Sequence, residues 1–229
     1  AADGGETFRM MASELGKQGI DFAVDLGNRI PPRIQGVEAE MFHDTSNRLL
    51  RSVPVPVYPV AGPLDVFDYT SDMVYGFLYG PQWYSFSRGD GLFVVLDTDD
   101  ESYRIGFGMA PAVGDDQAAW LADTLHGVTE SASVVVFMGR PVWNEAPEMW
   151  RNLLLPLFVA GGVDLVVSGY GGGLCDWGTV DGIRAVSTGC VGPANDPGLG
   201  IFPHMLLVGF DNGAVSLKVM AADGSVSDG

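Results

Sequence analysis

The chain has 229 residues, of which 47% are hydrophobic and 18% charged, as is typical of a globular protein. Its 29 acidic residues outnumber 12 basic ones and give a formal net charge of −17. This charge argues against nucleic-acid binding, because phosphates are neutralised by clustered Lys and Arg. No apolar stretch is long enough to span a bilayer. We therefore expect one globular domain over residues 1–229 with no membrane span.

The first half of the chain alternates helical and extended patterns. Phe8, Met11 and Leu15 share one helical face and predict a helix within residues 6–18. The alternation from Asp21 to Leu26 predicts a strand that ends at a turn. Later segments are predicted from similar patterns: a helix over 37–51, an extended proline-rich run over 54–60 and a β-hairpin over 83–97.

The second half continues this alternation. Asp115 or Asp116 is expected to cap a helix that runs to His126. The β-branched run Ser133 to Met138 predicts a strand buried on both faces. A helix over about 146–160, a strand over 164–168 and two hairpins, at 175–188 and 204–220, complete the pattern. Helices mixed with buried strands and hairpins predict a layered α/β protein with two mixed sheets between helices.

Four short segments follow apolar, strand-like runs of the chain. They are Gly27-Asn28, Gly62-Pro63-Leu64-Asp65, Met138-Gly139-Arg140-Pro141 and Gly169-Tyr170-Gly171-Gly172. In order and context these segments resemble the GD, GNH[D/E], MH-x-P and GHxH boxes of the calcineurin-like metallophosphoesterases, the family that includes the purple acid phosphatases. The resemblance extends over about the whole chain and implies a four-layer α/β/β/α sandwich.

The resemblance also implies where a two-metal site would lie, and most ligands are missing from that place. Two-metal hydrolysis needs carboxylate, imidazole and amide ligands around metals about 3.5–4 Å apart. Asn28 replaces the bridging aspartate, Gly139 replaces one histidine, and Tyr170 and Gly172 replace two more. We therefore expect no metal, no other cofactor and no catalytic residue. The vestigial pocket would comprise Asn28, Asp65, Gly139, Arg140, Tyr170 and Gly172.

Arg140 is the basic residue of this pocket. Its guanidinium could neutralise Asp65 or bind an anionic group bidentately. It could equally be an exposed arginine beside a proline. The three histidines of the chain lie in none of the four boxes, and we expect each to be a surface or satisfied core residue.

These losses favour a non-catalytic metallophosphoesterase-like domain, a pseudophosphatase, that acts as a binding or structural module. The alternative is a divergent metal-dependent phosphoester hydrolase with a single-metal site built from Asp25, Asn28, Asp65 and residues outside this chain. A sensor that binds a small molecule or peptide in the old active-site cleft is a special case of the first hypothesis. Metal content separates the two hypotheses.

The two cysteines, Cys175 and Cys190, flank the first of the late hairpins. If Asp181-Gly182 forms its turn, Cys175 lies opposite Thr188, and the two sulfurs are one diagonal step apart. The cysteines then either form a disulfide or remain as two buried thiols that behave as small apolar residues.

The opening strand of the family, which carries a D-x-H box before the first helix, has no clear match. The nearest segment is Asp3-Gly4-Gly5, and the first predicted helix starts within a few residues of Ala1. The strands on either side would then have unpaired backbone groups. We expect an upstream segment of the same polypeptide, or a strand from a protein partner, to fill this gap. The small residues Ala1-Ala2 suit signal-peptide cleavage and a trimmed start alike.

Overall fold

The structure is a computed structural model that describes residues 4–31, 34, 36–100, 110–129, 132–169, 173–189, 201–211 and 214–228. The helices are α1 (Gly4–Leu15), α2 (Gly36–Leu50), α3 (Tyr69–Tyr79), α4 (Asp115–Leu125), α5 (Val142–Glu145), α6 (Pro147–Met149) and α7 (Leu155–Ala160), with a π-helical turn at Trp150–Leu154. The strands are β1 (Ala23–Asp25), β2 (Val57–Pro59), β3 (Tyr84–Arg88), β4 (Gly91–Leu96), β5 (Ser133–Met138), β6 (Leu165–Ser168), β7 (Cys175–Val180), β8 (Ile183–Ser187), β9 (His204–Asp211), β10 (Ala214–Ala221) and β11 (Val226–Asp228).

The largest sheet has six strands in the order β3-β4-β5-β6-β8-β7. Its four inner strands are parallel, and the two edge strands are antiparallel to their neighbours. All six residues of β5 are buried, which confirms the prediction of a strand covered on both faces. The carboxyl ends of the four parallel strands therefore meet at one edge of this sheet.

A second layer of strands lies against one face of the six-stranded sheet. It contains the parallel pair β1-β2 and the antiparallel sheet β11-β10-β9. Val60, Leu206 and Val208 of this layer pack on Phe93 and Phe137 of the large sheet in one apolar cluster. This contact joins the two layers of strands face to face.

Helices cover the outer faces of both layers of strands. Leu121 and Phe158, on α4 and α7, pack on the free face of the six-stranded sheet. Met11 and Leu15, on α1, pack with Met220 of β10 on the free face of the second layer. The architecture is therefore the four-layer α/β/β/α sandwich, and the predicted fold class is confirmed.

Local signals account for the places where the elements differ from their predictions. Helix α3 was not predicted, although Asp68 and Ser71 form a capping box at its start. The expected cap at Asp115 or Asp116 is wrong, because Gly114 is the N-cap of α4. The single helix expected near 146–160 is divided into short segments, and Pro156 has no N–H to donate to the preceding turn.

The β7-β8 hairpin turns at Asp181-Gly182 as predicted, with Val180 paired to Ile183. Its register is shifted by one residue between Asp176 and Thr179, so Cys175 lies opposite Ser187. The expected pairing of Cys175 with Thr188 is therefore wrong, and a β-bulge is the reason. Cys175 is exposed, so the alternative of two buried thiols is wrong for this residue. Cys190 lies outside the described residues, so the disulfide stays a prediction.

None of the helices in the described ranges is both long and apolar enough to cross a membrane.

Candidate functional site

The loops after β1, β2, β5 and β6 meet at one end of the sandwich and pack backbone against backbone. A Cβ atom added to Gly139 would lie 2.3 Å from the carbonyl oxygen of Ala61, and one added to Gly27 would lie 2.4 Å from the nitrogen of Gly62. A Cβ at Gly169 would lie 2.8 Å from the carbonyl oxygen of Leu26. Glycine is required for this close approach. No histidine fits at position 139 unless the β2 loop moves.

Arg29 is at the centre of this end of the molecule. Its Nε is 2.6 Å from Asp25 Oδ2, and its Nη1 is 3.0 Å from Asp65 Oδ2. The Arg29 side chain is 3% exposed, that of Asp65 is fully buried, and that of Asp25 is 21% exposed. One guanidinium therefore pairs with two carboxylates, and we call these three residues the Arg29 cluster.

Backbone amides complete the hydrogen bonding of Asp65. The N–H groups of Asn28 and Arg29 each donate to its carboxylate at 2.7 Å, and the N–H of Gly62 donates at 3.1 Å. Asn28 makes this possible with a left-handed backbone, φ 61°, which asparagine tolerates better than most residues. Its Oδ1 also accepts a hydrogen bond from the N–H of Leu64 at 3.1 Å. Asn28 thus ties the β1 loop to the β2 loop.

Aromatic rings cover the guanidinium. The Arg29 Cζ lies 4.6 Å from the ring centre of Tyr79 and 5.5 Å from that of Tyr75, in cation–π geometry. Burial disfavours the charge, but Asp25 and Asp65 outweigh it and hold the pKa of Arg29 above its ordinary value. Burial also raises the pKa of Tyr79 to about 12, against the opposing charge of Arg29. At neutral pH, Arg29 is therefore charged and the hydroxyl group of Tyr79 is protonated.

A second arginine cluster lies at the ends of β4 and β5. Arg140 Nη1 is 3.1 Å from Asp99 Oδ1, and Arg140 Nε is 2.6 Å from Glu145 Oε2. Burial opposes the charge, but Asp99 and Glu145 raise the pKa of Arg140. The expectation that Arg140 neutralises Asp65 is wrong, because Arg29 pairs with Asp65. The expectation of an exposed side chain is also wrong, since Arg140 is only 12% exposed.

Sequence reasoning missed Arg29, although it directly follows the Gly27-Asn28 segment. A basic residue next to the position of a lost metal ligand was the available signal. Tyr170 and Gly172, the other two members of the vestigial pocket, lie outside the described residues.

The described residues do not fit a metal centre. They contain no group of three or more His, Cys, Asp or Glu side chains arranged to hold a metal ion. Asp25 and Asp65 share the guanidinium of Arg29 at the place where they would bind a metal ion. The backbone of Ala61 fills the space beside Gly139. His43 contacts Tyr79, with 3.1 Å between Nδ1 and the hydroxyl oxygen, and His204 contacts Thr188 and the carbonyl of Phe202. A metal ion would have to displace Arg29 to bind these carboxylates.

No protein-family model matches the chain, and no curated protein matches it. Solved structures do match. The purple acid phosphatase PPD1 from yellow lupin (Lupinus luteus) seeds has a TM-score of 0.69 and 15% identity, over 98% of this chain. This chain spans only 48% of that phosphatase, about half its length.

Two further solved structures cover more of both chains. GAP50, the anchor in the inner membrane complex of Plasmodium, has a TM-score of 0.73 and 14% identity over 100% of this chain and 84% of its own. A dimetal phosphatase from Danio rerio has a TM-score of 0.63 and 13% identity over 82% of this chain and 78% of its own. The chain therefore has the fold of the calcineurin-like metallophosphoesterases.

Proposed function

We propose that this protein is a non-catalytic metallophosphoesterase-like domain that works as a binding or structural module. The observation that supports this proposal most strongly is the position of Arg29. Its buried guanidinium contacts Asp25 at 2.6 Å and Asp65 at 3.0 Å, so the carboxylates that would attract a metal ion are already paired with a cation. Hydrolysis by two metals also needs an activated water between them, and at these two carboxylates the structure has a guanidinium, which is not a Lewis acid, in place of a metal ion.

A role in protein association is the second part of the proposal. One structure with this fold is described as an anchor in a membrane complex of Plasmodium, so the fold serves as more than a phosphatase scaffold. We infer that the present chain binds a polypeptide partner. Its charge of −17 favours partners with basic surfaces, since electrostatic complementarity speeds encounter.

Metal content and hydrolysis test the proposal together. Purified protein is incubated with manganese, zinc and iron salts, desalted and analysed for metals, and turnover of an aryl phosphate is measured in parallel. We expect much less than one equivalent of metal and no hydrolysis above buffer. One equivalent of metal, with hydrolysis that a chelator abolishes and metal restores, would instead support the divergent single-metal hydrolase and overturn the proposal.

A further inference from the structure

Helix α3 turns an uncharged and largely apolar face to solvent. Its exposed residues are Tyr69, Thr70, Met73, Gly76 and Phe77, and the three large apolar side chains are 65%, 57% and 88% exposed in chain order. Positions 69, 73, 76 and 77 have the spacing i, i+4, i+7 and i+8, which is the spacing of the stripe that a helix normally buries against a neighbour. We call these four residues the α3 stripe.

The opposite side of α3 has the contacts that hold this helix on the domain. Ser71 and Tyr75 are buried. The rings of Tyr75 and Tyr79 lie 5.5 and 4.6 Å from the guanidinium carbon of Arg29, and a capping box at Asp68 starts the helix. The α3 stripe is therefore not needed to position α3, and it lies on the outside of the helix that covers the Arg29 cluster.

Gly76 gives the stripe a shape that suits contact with another helix. An exposed glycine inside a helix is destabilising relative to alanine. The fold does not require it, because none of the described residues lies within 4 Å of a Cβ added there. The missing side chain leaves a hollow beside Met73 and Phe77. A partner helix can come closest where the residue that faces it is small.

Helices α2 and α3 together form an acidic surface. They contact each other through His43 Nδ1, which is 3.1 Å from the hydroxyl oxygen of Tyr79. The two helices and the cap of α3 contain five acidic residues and one basic residue, Arg48, which pairs with Asp44. The acidic residues are Glu38, Glu40, Asp44, Asp68 and Asp72. A partner with Lys or Arg beside its apolar residues would complement this surface.

Charge also decides between the possible occupants of the stripe. A second copy of the chain would bring the same acidic residues together, and like charges across an interface are unfavourable. The 229 residues themselves contain no basic helix to place there, because the 12 Lys and Arg are dispersed and no stretch of three helical turns holds more than two of them. The complementary occupant is therefore a helix of another polypeptide.

We propose that the α3 stripe binds a basic, amphipathic helix of a partner protein. The apolar face of that helix packs on Tyr69, Met73 and Phe77, its backbone comes closest at Gly76, and its Lys or Arg residues lie toward the acidic residues of α2 and α3. The stripe extends about 12 Å along α3, so three or four turns of the partner helix cover it. This inference rests on the proposed function as an interaction module.

A synthetic peptide tests the proposal. The probe is an amphipathic helix of roughly 18 residues, about five turns, with leucines on one face and lysines beside them. One control peptide has the same composition with its leucines distributed around the helix, and the other has glutamates in place of lysines. We expect the probe to bind with a Kd of about 10 μM or lower and both controls to bind at least about tenfold more weakly. The probe should shift the methyl resonance of Met73 but not that of Met10, which is exposed on α1.

Variants locate the binding on the stripe. Phe77→Ser should weaken probe binding by about tenfold or more, and it should leave the fold intact because the side chain it removes is exposed. Gly76→Gln should also weaken binding, because it fills the hollow, although glutamine favours the helix. Val159→Ser is the matched control. It removes an apolar side chain that is 63% exposed on α7, and it should leave binding unchanged.

Several results would overturn the proposal: no binding of the probe, equal binding of either control peptide, or binding that Phe77→Ser does not weaken. A dimer that depends on Phe77 in sedimentation equilibrium would also do so, since a second copy would then be the occupant. A Met73 methyl group shielded from a soluble paramagnetic probe in the chain alone would show that the chain covers its own stripe. Metal-dependent hydrolysis together with the expected peptide binding would count against the proposed function only.

Discussion

At the scale of single residues, Arg29 decides the chemistry of the site. It contacts two carboxylates and the faces of two tyrosines, and its own N–H holds Asp65 at 2.7 Å. A buried ion cluster of this kind is intolerant of losing one partner, because the remaining charges are left without compensation. Arg29 therefore stabilises the fold as long as both Asp25 and Asp65 are present.

Substitution of Arg29 by methionine should destabilise the protein strongly. Asp25 and Asp65 would lose their shared cation, and Asp65 is fully buried, so we expect a loss of about 3–5 kcal/mol in the free energy of unfolding. Urea denaturation followed by circular dichroism measures it.

The matched control for this variant is Arg48→Met. Arg48 pairs with Asp44 on the surface, with side chains 73% and 56% exposed, and exposed pairs contribute about 1 kcal/mol or less. Equal small losses for the two variants would contradict the role given to Arg29.

Some residues of the candidate site could be predicted from the sequence, and others could not. The replacements at Asn28 and Gly139 could be seen from the sequence because each falls within a short segment in a recognisable order. The contact of Arg29 with Asp65 could not, because it joins residues 36 positions apart through the left-handed turn at Asn28. The pairing of Arg140 with Asp99 and Glu145 was not among the alternatives for the same reason, since strand ends meet only after the sheet has formed.

At the scale of elements, glycines let the loops of neighbouring strands occupy the space of the lost site. Gly139 is the tightest of these positions, with only 2.3 Å between an added Cβ and the Ala61 carbonyl oxygen. The β5 and β2 loops are therefore locked together by shape.

Gly139→Ala should cost about 1–3 kcal/mol in the free energy of unfolding, because the new methyl group meets backbone that has to shift. Gly76→Ala is the control. Gly76 lies within α3 with nothing within 4 Å of an added Cβ, and the change should stabilise the protein by about 0.5–1 kcal/mol. Thermal unfolding of both variants measures the difference. A tolerated alanine at position 139 would mean that the loops are more open than described.

The elements themselves were largely predictable because their signals are local. The β5 run and the β3-β4 hairpin were found from side-chain periodicity and turn residues alone. The capping box at Asp68 and Ser71 was an equally local signal for α3, and it was overlooked. The β-bulge in β7 was not predictable from spacing, since a one-residue shift depends on which residues pack opposite each other.

At the scale of the whole molecule, stability should depend on pH through two buried histidines. Burial lowers the pKa of both His43 and His204 from the ordinary value of 6.5. The unfolded chain then binds more protons than the folded one below about pH 6.5, so stability is complete above that pH and falls as the pH decreases. Burial raises the pKa of Asp97, which acts in the opposite direction from pH 3.8 upward and has to be separated from the histidines.

The double variant His43→Gln/His204→Gln makes this separation. The free energy of unfolding of the parent should fall between pH 7.5 and 5.5 by up to about 1.4 kcal/mol per pH unit for each histidine. The variant should lose this part of the slope and keep that of Asp97. Parallel pH profiles of the two proteins would show that the histidines are not the cause.

The four layers could be predicted, whereas the absence of an opening strand was expected only from the family resemblance. Among the strands that the structure describes, β1 pairs only with β2 and β9 pairs only with β10, and the expectation of a further strand stays a prediction.

The central claim is that Arg29 replaces a metal ion at Asp25 and Asp65. Crystals grown with excess Mn²⁺ and measured at the manganese absorption edge test it most directly, because anomalous scattering locates bound manganese atom by atom. We predict no anomalous peak beside Asp25, Asp65 or Asp99, and Arg29 Nη1 about 3.0 Å from Asp65 Oδ2 as found here. An anomalous peak between Asp25 and Asp65, with the Arg29 side chain displaced, would contradict the claim.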